Sequence, residues 1–110
     1  MDNDTIEEMF ESLGSVTIKR MFGGKGIYVG ELIVALEVDG EILLKADEVT
    51  IPEFEMSGCR QWTYEGRKTG APLKMPYWSI PEDAFDDPDL MAEWVRLALD
   101  AALRTNPVKR

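Results

Sequence analysis

Apolar positions along this chain change their period from one stretch to the next. Ile6, Met9, Phe10 and Leu13 recur at i, i+3, i+4 and i+7, which is one stripe of a helix. The spacing predicts a helix over 4–13. Asp4 and Glu7 form its capping box, Glu7, Glu8 and Glu11 face water, and Gly14 ends it at positive φ. From Val16 the period drops to two. Val16–Phe22, Gly26–Val29, Leu32–Val38 and Glu41–Lys45 read as four strands, separated by a glycine cluster, by Gly30 and by Asp39-Gly40.

Asp39-Gly40 calls for a two-residue type I′ hairpin turn. That turn pairs Val38 with Glu41, Glu37 with Ile42 and Leu36 with Leu43. The register predicts Leu32, Val34, Leu36 and Leu43 on one face, with Ile33, Ala35, Ile42 and Leu44 on the other. A strand with one wet face alternates apolar and polar residues. Both faces here are apolar, so both are expected to be covered, either by a helix on each or by a partner subunit on the second.

Further on, Pro52 and Gly58 bracket a weak helix within 47–57. Cys59–Tyr64 is a fifth strand, Glu65–Ala71 a polar loop, and Leu73–Ile80 a sixth strand whose Pro76 requires an edge or a bulge. After a single turn over Pro81–Phe85, Asp86 or Asp87 caps a long helix that runs to about Thr105. Leu90, Trp94, Leu97, Ala98 and Ala101 form its stripe, widened by Met91, Val95 and Ala102. Asn106-Pro107 stops it and leaves 106–110 as a frayed tail. The expected fold is a two-layer α+β domain over 1–110, with an ordered core over about 4–105. Its antiparallel sheet of five to six strands, a meander plus a hairpin, is packed by an N-terminal helix, a short middle helix and a long C-terminal helix.

Charge and composition narrow the chemistry. The net charge of −9 disfavours a phosphate-backbone binder, and only Arg60–Lys74, interleaved with Trp62 and Tyr64, suggests a weak nucleic-acid patch. The chain has no His and a single Cys59, which removes Ser-His-Asp, Cys-His and His-ligated zinc chemistry. The lone cysteine suits a reducing cytoplasm. The longest apolar run, Leu32–Leu36, is too short to span a membrane, and the acidic N-terminus carries no signal region. No catalytic residues, metal or cofactor are expected.

The segment Arg20-Met21-Phe22-Gly23-Gly24-Lys25-Gly26 invites a phosphate-loop reading. A Walker loop would need Ser or Thr after Gly-Lys and then a helix, whereas Gly26, Ile27 and an alternating run follow. A turn with a bulge at a sheet corner accounts for the glycines more simply. Met75-Pro76-Tyr77-Trp78 sets two aromatics after a proline, which suits core packing or a partner-binding edge.

Arg20-Met21-Phe22-Gly23-Gly24, Gly26-Ile27-Tyr28, Leu43-Leu44-Lys45, Met75-Pro76-Tyr77-Trp78 with Pro81, and Trp94 in the Ala-rich helix together resemble the N-terminal domain of the TfoX (Sxy) competence regulators. The resemblance spans about Thr5–Arg104. It implies a two-layer α+β fold, a bacterial cytoplasmic protein and no enzymatic activity. The best-known members of that family are transcriptional coactivators that help a cyclic-AMP receptor protein, and those regulators carry a second, helical domain. For this chain the expectation is therefore a regulatory, protein-contacting domain, whose partner is a transcription regulator or a second copy. Arg20, Phe22, Gly23, Gly24, Lys25, Tyr28, Lys45, Tyr77 and Trp78 are its candidate interaction or anion site. The alternatives are a small-ligand or anion site at the Gly23-Gly24 turn and weak nucleic-acid binding through Arg60–Lys74.

Overall fold

The Asp39-Gly40 turn forms as its dipeptide predicts, with φ of 53° and 82° at its two residues. The Glu37 carboxylate accepts the Gly40 N–H at 2.8 Å and fixes the turn from below. Around this hairpin the computed structural model, which describes residues 1–21, 23–65 and 72–105, builds a six-stranded antiparallel sheet. Phe22, the 66–71 part of the expected loop and the 106–110 tail lie outside the described residues. The strands are β1 (Thr17–Met21), β2 (Gly24–Val29), β3 (Leu32–Val38), β4 (Glu41–Lys45), β5 (Gln61–Glu65) and β6 (Pro72–Ser79), in the order β1-β2-β3-β4-β6-β5. The helices are α1 (Asn3–Met9), α2 (Ile51–Met56) and α3 (Pro88–Thr105), with 3₁₀ turns at Glu11–Leu13 and Glu82–Asp86.

The α+β class and the element order follow the sequence, while several local details depart from it. Helix α1 is shorter than 4–13 and is capped by Asp2, whose Oδ1 accepts the Thr5 N–H at 2.9 Å, so Asp4 lies inside the first turn. Strand β2 begins at Gly24 rather than Gly26, leaving Gly23 at φ 80° as the described glycine of the β1–β2 turn. Strand β6 is interior, between β4 and β5, so Pro76 sits at an irregularity rather than an edge. Its pairing with β5 jumps from Gln61↔Trp78 to Thr63↔Lys74, and the Gln61 amide donates to the Met75 carbonyl at 3.0 Å in place of a ladder bond.

A second bulge corrects the predicted faces. Ile27 pairs with Ala35 and Tyr28 with Ile33, so Val34 is an extra residue in β3. An inserted residue reverses the inside–outside alternation beyond it. Leu32 and Val34 thus join Ala35, Ile42 and Leu44 on one side, whereas Ile33 joins Leu36 and Leu43 on the other.

All three helices take the first side. Helix α3 packs on β3, β4 and α1, and Phe54 of α2 stands 4.9 Å from Trp94 and 6.0 Å from Trp78, ring centre to ring centre. Ile6, Phe10, Ile27, Val34, Ala35 and Leu44 are fully buried in this layer. The expectation of a helix on each face is therefore overturned. Two anchors hold the helices at their ends. Asp87 Oδ1 accepts the N–H groups of Asp89 and Leu90 at the start of α3. At its far end Arg104 donates to both Asp47 oxygens, at 2.6 and 3.1 Å, while Asp47 Oδ1 also accepts the N–H groups of Val49 and Thr50.

Gly24 is tied to the sheet spacing, because a Cβ there would overlap the Glu37 carbonyl oxygen of β3. Gly24→Ala should therefore destabilise the domain by about 2–3 kcal/mol, read as a lower midpoint in urea denaturation. The Arg104 guanidinium hydrogen-bonded to Asp47 holds that carboxyl down at about 2, against an ordinary 3.8. A depressed carboxyl stabilises the fold above its unfolded pKa and loses that contribution as pH falls through the folded one. Thermal melts should thus weaken between about pH 4 and 2. Asp47→Asn, which keeps an acceptor for Val49 and Thr50, should remove part of that slope and lower the melting temperature at pH 7.

Candidate functional site

The second side of the sheet carries no helix among the described residues, yet it is not a polar face. Leu36, Leu43 and Tyr77 are at most 9% exposed there, with Met21, Ile33, Val38, Trp62 and Met75 packed around them. Long side chains from neighbouring strands, rather than a second layer, shield the two leucines. The side chains leave an open hollow of about 620 Å³, lined chiefly by Met21, Ile33, Leu36, Trp62, Met75 and Tyr77. This is the size of a ligand or side-chain docking pocket. The apolar surface continues outward over the β5–β6 hairpin, where Tyr64 and Leu73 pair and both are more than half exposed. The Trp62 and Tyr64 rings lie 6.1 Å apart along the same rim.

One end of this face is cationic. Lys19 sets its ammonium 4.9 Å from the centre of the Tyr28 ring, and Lys45 sets its own 5.3 Å from that of Tyr77, its neighbour across the β4–β6 ladder. Such ammonium–ring contacts are electrostatically favourable and keep the aliphatic stems on apolar surface. Burial pushes the Tyr77 hydroxyl above its usual pKa, and nearby Tyr28 adds to the rise. Burial lowers the Lys45 ammonium, a shift that Asp47 partly offsets. Gly26 lies beneath this group. A Cβ at that position would come within 2.7 Å of the Met21 sulfur and 3.0 Å of the Tyr28 ring, so the absence of a side chain lets both close over the strand.

The candidate residues divide between the two sides of the sheet. Tyr28, Lys45 and Tyr77 come together on the open face. Arg20 alternates with Ile18 toward the helix side and stays exposed. The Lys25 ammonium donates to the Met1 carbonyl at 2.9 Å and to Asn3 Oδ1 at 2.8 Å, tying down the start of α1. Trp78 is in the helix-side core, with its indole N–H buried and unpaired among the described residues. Gly23 and Gly24 form the corner, and Phe22 is outside the described residues. The backbone from Gly24 to Gly26 runs between β1 and β3 in two ladders, so it offers no row of free N–H groups to an anion. Of the basic stretch, Arg60 is paired with Glu41 and Lys74 is exposed on β6, while Arg67 and Lys68 lie outside the described residues.

Sequence reading missed Lys19, Met21, Ile33, Leu36, Trp62 and Met75 as parts of one surface. Alternation along β1 would have linked Lys19 and Met21, but β5 and β6 lie at the other end of the strand order, and only the hollow across the face brings Met21 together with Trp62, Met75 and Tyr77.

An α+β sheet with the Gly23-Gly24 corner, the Lys45–Tyr77 pair and the Trp94 helix in these places accords with the result of comparison: residues 8–102 match the TfoX N-terminal domain. The chain belongs to the TfoX N-terminal domain family. TfoX membership makes it a domain of the competence-regulator type. A search of the curated proteins found no match. No helix among the described residues of this TfoX domain is long and apolar enough to cross a membrane.

The Tyr77 hydroxyl is expected to ionise above the ordinary tyrosine value, so Tyr77→Phe should remove a late-ionising component from the absorbance titration near 295 nm.

Proposed function

We propose that this TfoX domain is a non-enzymatic regulatory module that contacts a protein partner through the open face of its sheet. The observation that carries the reading is the placement of all three helices on one side, which leaves Leu36, Leu43 and Tyr77 beneath an apolar hollow with no layer above it among the described residues. Aromatic and methionine side chains around such a hollow are those enriched in protein interfaces, and an apolar patch of this kind on a charged surface marks a contact site. Family membership points to a transcription regulator as the partner, with the cyclic-AMP receptor protein of the host as the first to try.

The test is calorimetric titration of that receptor with the chain and with a Tyr64→Ser, Leu73→Ser, Met75→Ser variant. These side chains are exposed or half-exposed, so the fold is retained. Binding should weaken roughly tenfold or more in the variant, as for loss of an interface anchor, and remain unchanged in a Glu8→Gln control on α1. Equal affinity of variant and parent would remove the open face from the reading. No binding by the parent would remove this regulator from it.

A further inference from the structure

Lys19 and Lys45 stand out in a chain of net charge −9 because each sets its ammonium over a tyrosine ring of the open face, and neither takes part in an ion pair among the described residues. Asp47, the acid that acts on Lys45, has both oxygens engaged by Arg104. The two ammonium groups stand at one end of a largely apolar face and carry a charge opposite to that of the whole molecule. On that face Glu41 is paired with Arg60, and the hollow is also bordered by Lys25, Glu37 and Asp39. Lys45 adjoins the hollow through Tyr77, which lies under its ammonium and lines the hollow, while Tyr28 under Lys19 meets Met21 and Ile33 of that lining over Gly26.

Resting on the reading of this face as the contact surface, we propose that the Lys19–Tyr28 and Lys45–Tyr77 pairs receive acidic side chains of an amphipathic protein segment whose apolar residues fill the hollow. Charge complementarity selects this occupant. At the lysines, single-stranded nucleic acid would need open ring faces on which bases stack, whereas both of these tyrosine rings already carry an ammonium and the floor beside them is Ile33, Leu36 and Met21. The open rings of Trp62 and Tyr64 lie on β5. A dense polyanion would also meet the net negative field of the chain, while a segment with two or three carboxylates feels mainly the nearest charges, within a Debye length of about 8 Å. A second copy has little to offer these lysines, because Glu41, an acid of the same face, is already paired with Arg60. For Lys45, partly desolvated, an arriving carboxylate replaces lost hydration with a charge-assisted hydrogen bond.

Selection from a random 16-residue peptide library displayed on phage, with the whole chain as bait, tests this directly. Selected peptides should combine two or more large apolar residues with flanking Asp or Glu. In fluorescence polarisation Lys19→Gln and Lys45→Gln should each weaken them by about three- to tenfold, with affinity falling as salt rises. Lys74→Gln, exposed elsewhere on β6, should leave them unchanged, and circular dichroism melts report that each variant is folded. Neutral or basic winners, no winners, indifference to both lysine variants, or tighter binding of a twelve-residue oligo(dT) would overturn the proposal. So would self-association in sedimentation velocity that excludes the peptides. Winners that lose affinity in the Tyr64, Leu73, Met75 serine variant but ignore the lysines would sink this inference alone. Winners indifferent to both sets would sink the contact-surface reading as well.

Discussion

The extra residue in β3 is the constraint on which the rest of the structure turns. With Val34 inserted opposite the Ile27–Tyr28 step, Leu32, Val34 and Ala35 all reach the helix side within four positions. A regular strand would have sent Val34 or Ala35 to the other side. The bulge thereby concentrates small and branched side chains where α3 must approach closely, and that helix answers with Ala98, Ala101 and Ala102. It also sends Ile33 to the open face, beside Tyr28 and Gly26. Both the tight packing on one side and the shallow relief on the other arise from this one irregularity.

Much of the fold was legible in the chain because its signals were local. The Asp39-Gly40 turn fixed the β3–β4 register, and the stripe of α3 came directly from a 3.6-residue period. What escaped was non-local. Nothing in Leu32–Val38 announces a bulge, since every candidate residue is apolar and any of them can face either way. Pro76 did announce an irregularity, but its interior position depends on β6 pairing with β4, a contact across more than thirty residues of sequence. The site was legible to the same degree. Tyr28, Lys45 and Tyr77 were visible through motifs, whereas Arg20 and Lys25 drew attention by charge and turned out to face the helix side, where Lys25 binds the N-terminal segment.

The glycine cluster shows how one composition signal can have several causes. Gly23 serves a positive φ, Gly24 the approach of two backbones, and Gly26 the closure of Met21 and Tyr28 over the strand. None of these is a ligand contact. A loop rich in glycine is commonly read as a cradle for phosphate, but that role requires N–H groups left free by the fold. Here they lie within the ladders of an interior strand.

The cover of the sheet comes from the two ends of the chain, with α1 and α3 meeting above the meander. During synthesis the four strands of the meander leave the ribosome well before α3 does. Until that helix arrives, the side that will become the core has only α1 to cover it. A nascent chain of this design therefore shows apolar surface on both sheet faces while residues 46–105 are being made. Its strands need only local turns to pair, so the sheet can form early, and early pairing hides the backbone edges that would otherwise invite aggregation.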